Sequence, residues 1–328
     1  MTTATPDVCL RALRRAVDHA VRAPSVHNTQ PWRFTVLPDA LEIYADRTRQ
    51  LPVLDPSGRE LYLSLGCALF NAEVSLAHSG LAFEVHRFPV PDEPEFVARV
   101  VLAEGEPDPR LAALEPQLLK RQTNRRHFAD DPVPEEFVTG LVELAAEYGT
   151  QLVQVLNEDQ RLAVAILTQG ADAAQIANPA YRAEVRTWTT ADPDRRDGVR
   201  ALSVPKVDGT SGDELPIRDF DSQGAGFLPA QTASSHNQCL LIFATYADDR
   251  DAWLRTGEAL ERVWLELTRS GYAASLFTQP IETAAFRQEL RQELAMMAHP
   301  HVLMRIGHAP ITPPSLRRPV GDVLGDSD

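Results

Sequence analysis

Cysteine is scarce in this chain of 328 residues, and what there is does not pair. Cys9, Cys67 and Cys239 are odd in number and far apart, and no CxxC occurs. That excludes a disulfide framework and a cysteine-based zinc site. Positive charge is also short: 32 Lys and Arg against 46 Asp and Glu give a formal net charge of −14. Such a field repels nucleic-acid backbones at long range, so no nucleic acid is expected as a partner. An anionic ligand has to be gripped by a local cluster of Arg. Long apolar runs are missing too. No run is longer than Cys239 to Ala244, which is too short to span a bilayer. The opening MTTATPDVCLRALRRAV turns charged at once, unlike a secretory signal. No membrane contact and a cytoplasmic address are the expectations. HExxH, a Walker-type loop and GxSxG are absent. Gly224-Ala225-Gly226 lacks the third glycine of a dinucleotide loop. His299-Pro300-His301 with His308 has no Cys or carboxylate cluster beside it, so it reads as a strand entry and no metal is expected.

What is present suits a folded chain of one large or two medium domains. Hydrophobic residues make up 44% and charged residues 24%. Apolar spacing predicts helices over 7–22, 61–79, 131–148, 158–186 and 251–270. Strands are predicted over 32–37, 40–45, 81–88, 96–102, 151–156, 239–246 and 301–306. The stretch 187–230 has weak periodicity and scattered Gly, Pro, Asp and Ser, as functional or mobile loops do.

The chain also repeats itself. With Gly66 set on Gly257, seven identities fall in eighteen ungapped positions: Leu63/Leu254, Gly66/Gly257, Ala68/Ala259, Leu69/Leu260, Leu76/Leu267, Ser79/Ser270 and Gly80/Gly271. Two amphipathic helices that each end in Gly share part of such a pattern by simple physics. The other reading is a duplicated unit whose copies face each other, with a ligand site at the seam.

Two strings carry candidate chemistry. The first runs Ala23-Pro24-Ser25-Val26-His27-Asn28-Thr29-Gln30-Pro31-Trp32-Arg33-Phe34. Its prolines fix the backbone, and its hydroxyls and amides offer donors and acceptors to the edge of a flat heterocycle. The plainer alternative is a self-bonded polar turn with Trp32 as a core anchor. The second runs Lys120-Arg121-Gln122-Thr123-Asn124-Arg125-Arg126-His127-Phe128. Forked guanidinium donors with a hydroxyl between them suit a phosphate, although a basic run is also what a solvated linker looks like.

On these strings the chain resembles the nitroreductase-like FMN flavoproteins, and within them the Acg family of NAD(P)H nitroreductases. The resemblance implies an α+β, nitroreductase-like fold, internally duplicated so that one chain mimics the family homodimer, with antiparallel-rich central sheets flanked by helices. It implies a first half over 1–115 with the flavin-ring turn and a second half over 116–328 with the phosphate motif. A lid-like insertion would lie at about 187–230. Pro24, Ser25, Val26, His27, Asn28 and Gln30 would line the FMN ring from one half. Arg121, Thr123 and Arg125 would hold its phosphate from the other, with Arg126 as a rival to Arg125. Ser275 and Gln279 follow a Gly-rich segment like the one near the ring, and Arg317 and Arg318 stand in a tail like the one that reaches the phosphate. NADPH or NADH would reduce FMN, and a nitroaromatic or quinone-like acceptor would then enter the same space in a ping-pong cycle. The flavin carries the chemistry, so no catalytic side chain is required, and His27 is a weak candidate as proton donor. A monomer would suffice, since the interface is internal. The alternative is an FMN-storing or FMN-sequestering protein whose lid shuts out nicotinamide.

Overall fold

The chain builds the same four-stranded sheet twice. In a computed structural model of the protein the described residues are 5–200, 218, 220 and 238–325. The first unit opens with α1 (Pro6–Ala20), which has proline and Asp7 in its first turn. The hairpin β1 (Trp32–Val36) and β2 (Ala40–Ala45) follows, then α2 (Arg59–His78), β3 (Ala82–Arg87) and β4 (Phe96–Ala103). Two short turns, α3 (Pro109–Ala112) and α4 (Glu115–Leu118), lead on. The second unit has α5 (Glu135–Ala146), β5 (Gln151–Gln154), α6 (Glu158–Ala177), α7 (Pro179–Thr187) and the two-residue strands β6 (Thr189–Thr190) and β7 (Val199–Arg200). It closes with β8 (Cys239–Thr245), α8 (Arg250–Arg269), β9 (Ala273–Leu276), α9 (Gln279–Glu282), α10 (Ala284–Glu293) and β10 (His299–Gly307).

The strand orders are β1-β2-β4-β3 and β5-β8-β10-β9, antiparallel throughout. With the small β6–β7 pair set aside, each unit places its strands first, second, fourth, third. This is the duplicated α+β architecture that the repeat predicts.

The repeat also marks where the units touch. Every residue of α2 from Arg59 to Ala77 is buried, and α8 packs along it. A Cβ placed on Gly66 would stand 2.0 Å from the Leu254 carbonyl oxygen and 2.9 Å from Gly257 Cα. One placed on Gly257 would stand 2.1 Å from the Leu63 carbonyl oxygen and 2.9 Å from Gly66 Cα. The contacts are mirror images, because Leu63 and Leu254 are themselves repeat partners. Two helix backbones meet here at a distance that no side chain allows. One apolar core then runs through both units, from Leu13, Trp32 and Leu69 to Leu241, Leu260 and Trp264.

Connections are where the units differ. Residues 37–39 join β1 to β2, whereas 155–238 join β5 to β8. The insertion therefore starts well before the 187 read from sequence, with α6 and α7. The single helix predicted over 158–186 is broken, because Asn178 caps a new helix by accepting from the Ala180 and Tyr181 amides and Pro179 opens it. The predicted lid falls largely on 201–217, 219 and 221–237, outside the described residues. The four-residue β9 and the amphipathic α10 were not predicted. No described helix is long and apolar enough to cross a membrane.

Candidate functional site

The chain from 21 to 31, between α1 and β1, makes a strained turn. His27, Asn28 and Gln30 have φ of 48°, 55° and 52°, a left-handed region that side chains adopt at a cost of about 1–3 kcal/mol each. Several contacts enforce it. The Gln30 amide donates to Ser25 Oγ at 2.9 Å, and the Asn28 amide donates to the Ser25 carbonyl at 2.9 Å. Asn28 Nδ2 donates to the Gly198 and Leu316 carbonyls, at 3.0 and 3.2 Å. Gln30 Nε2 donates to the Arg196 carbonyl at 2.8 Å, and its Oε1 accepts from the Arg318 amide at 2.8 Å. Trp32 anchors the end of the turn in the core, fully buried.

The Arg-rich string lies opposite. Thr123 bridges to Ala274 of β9, and the Asn124 amide donates to the Ala274 carbonyl at 2.8 Å. Arg121 stacks over Trp264, with Cζ 4.7 Å from the ring centroid. Its Nη2 donates to the Arg22 carbonyl at 3.1 Å, and its Nε stands 3.0 Å from Glu261 Oε1. Arg317 Nη2 shares the Arg22 carbonyl and also donates to that of Ala23, at 3.2 and 3.1 Å.

Turn and string enclose two adjoining hollows of about 810 Å³ and about 460 Å³, open mouths included. Pro24, Ser25, Thr123 and Arg125 wall both, so they stand where the two adjoin. The larger hollow has Leu63, Leu260 and Val302 on its apolar wall, with Ser25, Ser64, Ser275 and Gln279 among its polar ones. The smaller is lined by Asn28, Arg121, Thr123, Arg125, Arg200 and Arg317 among others.

The charges are lopsided. Arg125, crowded away from water and facing Arg218, has its pKa pushed down to about 10. Arg317 is pushed down to about 9 by burial and by Arg121, against the pull of Glu261. Among the described residues, Arg121 Nη1, Arg317 Nε, Asn28 Oδ1 and both ring nitrogens of His27 have no hydrogen-bond partner. Desolvated guanidinium groups with spare donors ask for an anion. Burial, then Arg218 and Arg125, hold His27 well below its ordinary pKa, so its ring is neutral. Burial raises Glu261 to about 7 despite Arg121.

The structure brings together most of the sequence-predicted site. Pro24, Ser25, Val26, His27, Thr123, Arg125, Ser275 and Gln279 line the larger hollow, and Asn28, Arg121 and Arg317 join at the smaller. Gln30 and Arg318 line neither. They brace the turn from behind through the Gln30–Arg318 contact. Of the rivals, Arg125 lines both hollows and Arg126 neither. Sequence reasoning missed Glu60, Ser64 and Cys67, which share one stripe of α2 at helical spacing, and Arg218 and Phe220 from the insertion. No signal in the sequence singled the stripe out, because α2 also carries Arg59, Asn71, Glu73 and Ser75 and is buried on every side.

FMN fits this donor set. Its phosphate matches the guanidinium-lined hollow with spare donors, and its amphipathic ring matches the mixed apolar and polar walls of the larger hollow. A scan against protein-family models matches none. Similar curated proteins span nearly the whole chain. "Putative NAD(P)H nitroreductase Rv3131" of Mycobacterium tuberculosis is 35% identical over 99% of this chain and 93% of its own. "Putative NAD(P)H nitroreductase acg" from the same species is 30% identical over 98% of this chain and 97% of its own. Among solved structures, the FMN and NADPH-dependent nitroreductase NfnB of a Sphigopyxis strain is 18% identical, covering 66% of this chain and 99% of that one at a TM-score of 0.42.

Proposed function

The chain belongs to the family of putative NAD(P)H nitroreductases that includes Acg, and on that premise we propose that it is an FMN-dependent oxidoreductase with one flavin per chain. The observation that carries this reading is the pair of adjoining hollows, amphipathic at one end and lined by buried and half-buried Arg side chains at the other. The units 1–115 and 116–328 supply opposite walls.

When bound, FMN supplies two-electron redox chemistry, accepting hydride from NADPH or NADH and passing it to a nitroaromatic or quinone-like acceptor in alternating half-reactions. The protein binds and orients. Arg121, Arg125 and Arg317, with the Thr123 hydroxyl, neutralise the phosphate and fix the long axis of the cofactor. Ser25, Ser275 and Gln279 offer hydrogen bonds to the ring edge. Leu63, Leu260 and Val302 exclude water from one face. The strained turn at His27–Gln30 keeps the first unit's wall rigid. Glu261 holds the Nε side of Arg121, and Nη1 is left without a hydrogen-bond partner among the described residues.

The test is anaerobic rapid mixing of the FMN-loaded protein with NADPH and with NADH. Bleaching of the flavin band within seconds is expected with at least one. A flavin that neither nucleotide bleaches would replace the reductase with the sequestering reading.

A further inference from the structure

Reduction of a quinone-type acceptor needs a proton as well as a hydride, and the larger hollow offers few sources. Besides its Arg groups, three side chains with a titratable proton line it among the described residues: His27, Cys67 and Glu60. His27 is neutral and faces Arg218 and Arg125, which oppose its protonation. Cys67 donates its thiol proton to the Gly257 carbonyl at the helix crossing, 3.2 Å away, and burial holds its pKa well above the ordinary value. Glu60 differs. It stands in the first turn of α2 with its side chain only 7% exposed, on the hollow's wall one helical turn before Ser64. Arg59 Nη2 donates to its Oε1 at 3.1 Å, and among the described residues no donor reaches its Oε2.

We propose that Glu60 is a catalytic acid of this site, giving its proton to the oxygen of an acceptor that is reduced in the hollow. The proposal rests on the flavin-reductase reading, which supplies the hydride. The balance is quinone + H⁻ + H⁺ → hydroquinone. The Glu60 O–H bond breaks and an acceptor O–H bond forms. The acceptor gains two electrons, reduced FMN is oxidised, and the Glu60 carboxylate then takes a proton from water.

The surroundings of Glu60 keep that proton available near neutrality. Burial is the largest effect; Glu282 on α9 and Asp55 before α2 add to it, and Arg59 on α2 opposes it, leaving Glu60 at about 7. Arg287 on α10 couples to Arg59 and Glu60, and Arg218, Arg125 and His27 share the hollow. Glu282 is itself pinned by Arg218, the Thr278 hydroxyl and Gln175 Nε2, so its charge stays directed at this corner. An acid with a pKa near the working pH is what proton transfer favours.

The test compares full-length, FMN-loaded wild type with Glu60→Gln and Glu60→Asp. Each is reduced with dithionite, so that the flavin is filled independently of NADPH, and then mixed anaerobically with 1,4-benzoquinone between pH 5.5 and 8.5. Glu60→Gln is expected to slow reoxidation by about 10²-fold at pH 6 and to flatten its pH profile. Glu60→Asp, which keeps an acid on a shorter stem, should recover part of the rate. Infrared difference titration gives a readout apart from activity. Glu261 titrates in the same range, so the readout is the wild-type-minus-Glu60→Gln difference, which should show a carboxylic-acid C=O band with a midpoint near pH 7. Equal reoxidation rates and profiles in wild type and Glu60→Gln overturn the proposal, as does a band that titrates only at the ordinary carboxyl pH. Failure of NADPH and NADH to bleach the wild type would instead overturn the reductase reading while leaving the dithionite-started comparison decisive for Glu60.

Discussion

Two creases flank the crossing of α2 and α8, and the same fold makes one hollow and packs the other. The register that sets Gly66 on Gly257 pairs Cys67 with Glu258, Thr278 with Arg87 and Gln279 with Phe88. On the hollow side Cys67, Thr278 and Gln279 line open space. On the other side Arg87 grips Glu258 through Nε at 2.8 Å and Nη2 at 2.5 Å, and the Glu258 side chain is wholly buried. Phe88 packs against Tyr62, with ring centroids 5.7 Å apart, under the Arg250 guanidinium. The loops differ likewise: residues 21–31 join α1 to β1, but only 147–150 join α5 to β5. Backbone topology therefore does not decide where a ligand sits. A short loop and an ion pair fill one crease, while a long strained turn and small side chains leave the other open.

The largest effect should come from breaking the axis that makes the creases comparable. Gly66→Val or Gly257→Val would drive a side chain into the facing backbone and cost about 3 kcal/mol or more. Loss of soluble protein, or a much lower urea midpoint, is the expected outcome, and a near-normal midpoint would show that the helices can part.

The next effect sets the creases against each other. Arg87→Ala strands Glu258 beside Glu73, whose carboxyl burial and Glu258 already push well above its usual range. It should destabilise the fold by about 3–5 kcal/mol without weakening FMN binding in the protein that remains folded. Arg125→Ala should do the reverse. FMN affinity should fall about tenfold or more, since a charge-assisted contact is worth roughly 1.5–3 kcal/mol, with little change in the denaturation midpoint. Fluorescence titration and denaturation of both variants check the pair. Equal effects on binding would erase the contrast.

A further effect is confined to a window of pH. Burial raises Glu60 from 4.5 to about 7, so the native state holds a proton that the unfolded chain has already released. Stability from this group is thus lost as pH rises from about 4.5 to 7. Wild type should lose stability relative to Glu60→Gln across that window, by on the order of 3 kcal/mol, and run parallel to it outside. Thermal melts at pH 4.5, 6 and 8 measure this.

Much of this arrangement was legible in the residues. The Gly66/Gly257 register located both the duplication and the contact, because only glycine permits so close a crossing. The turn and the Arg string were visible as clusters of unusual chemistry, and they meet in space. The Glu60–Ser64–Cys67 stripe was not seen, because α2 is buried on every side and its periodicity marks no single face. Gln30 and Arg318 show the converse limit. Their residue types suit a ligand, but their hydrogen bonds serve the backbone. The break at Asn178-Pro179 was readable from its cap and proline. The size of the β5–β8 insertion was not, since strand pairing is non-local.

The most direct measurement of the central claim is an FMN titration of the wild type beside the double variant Cys67→Glu, Thr278→Arg, which copies the filled crease into the open one. One FMN per wild-type chain and none in a folded double variant are predicted. Undiminished binding by the folded double variant, or two FMN per wild-type chain, would contradict the account.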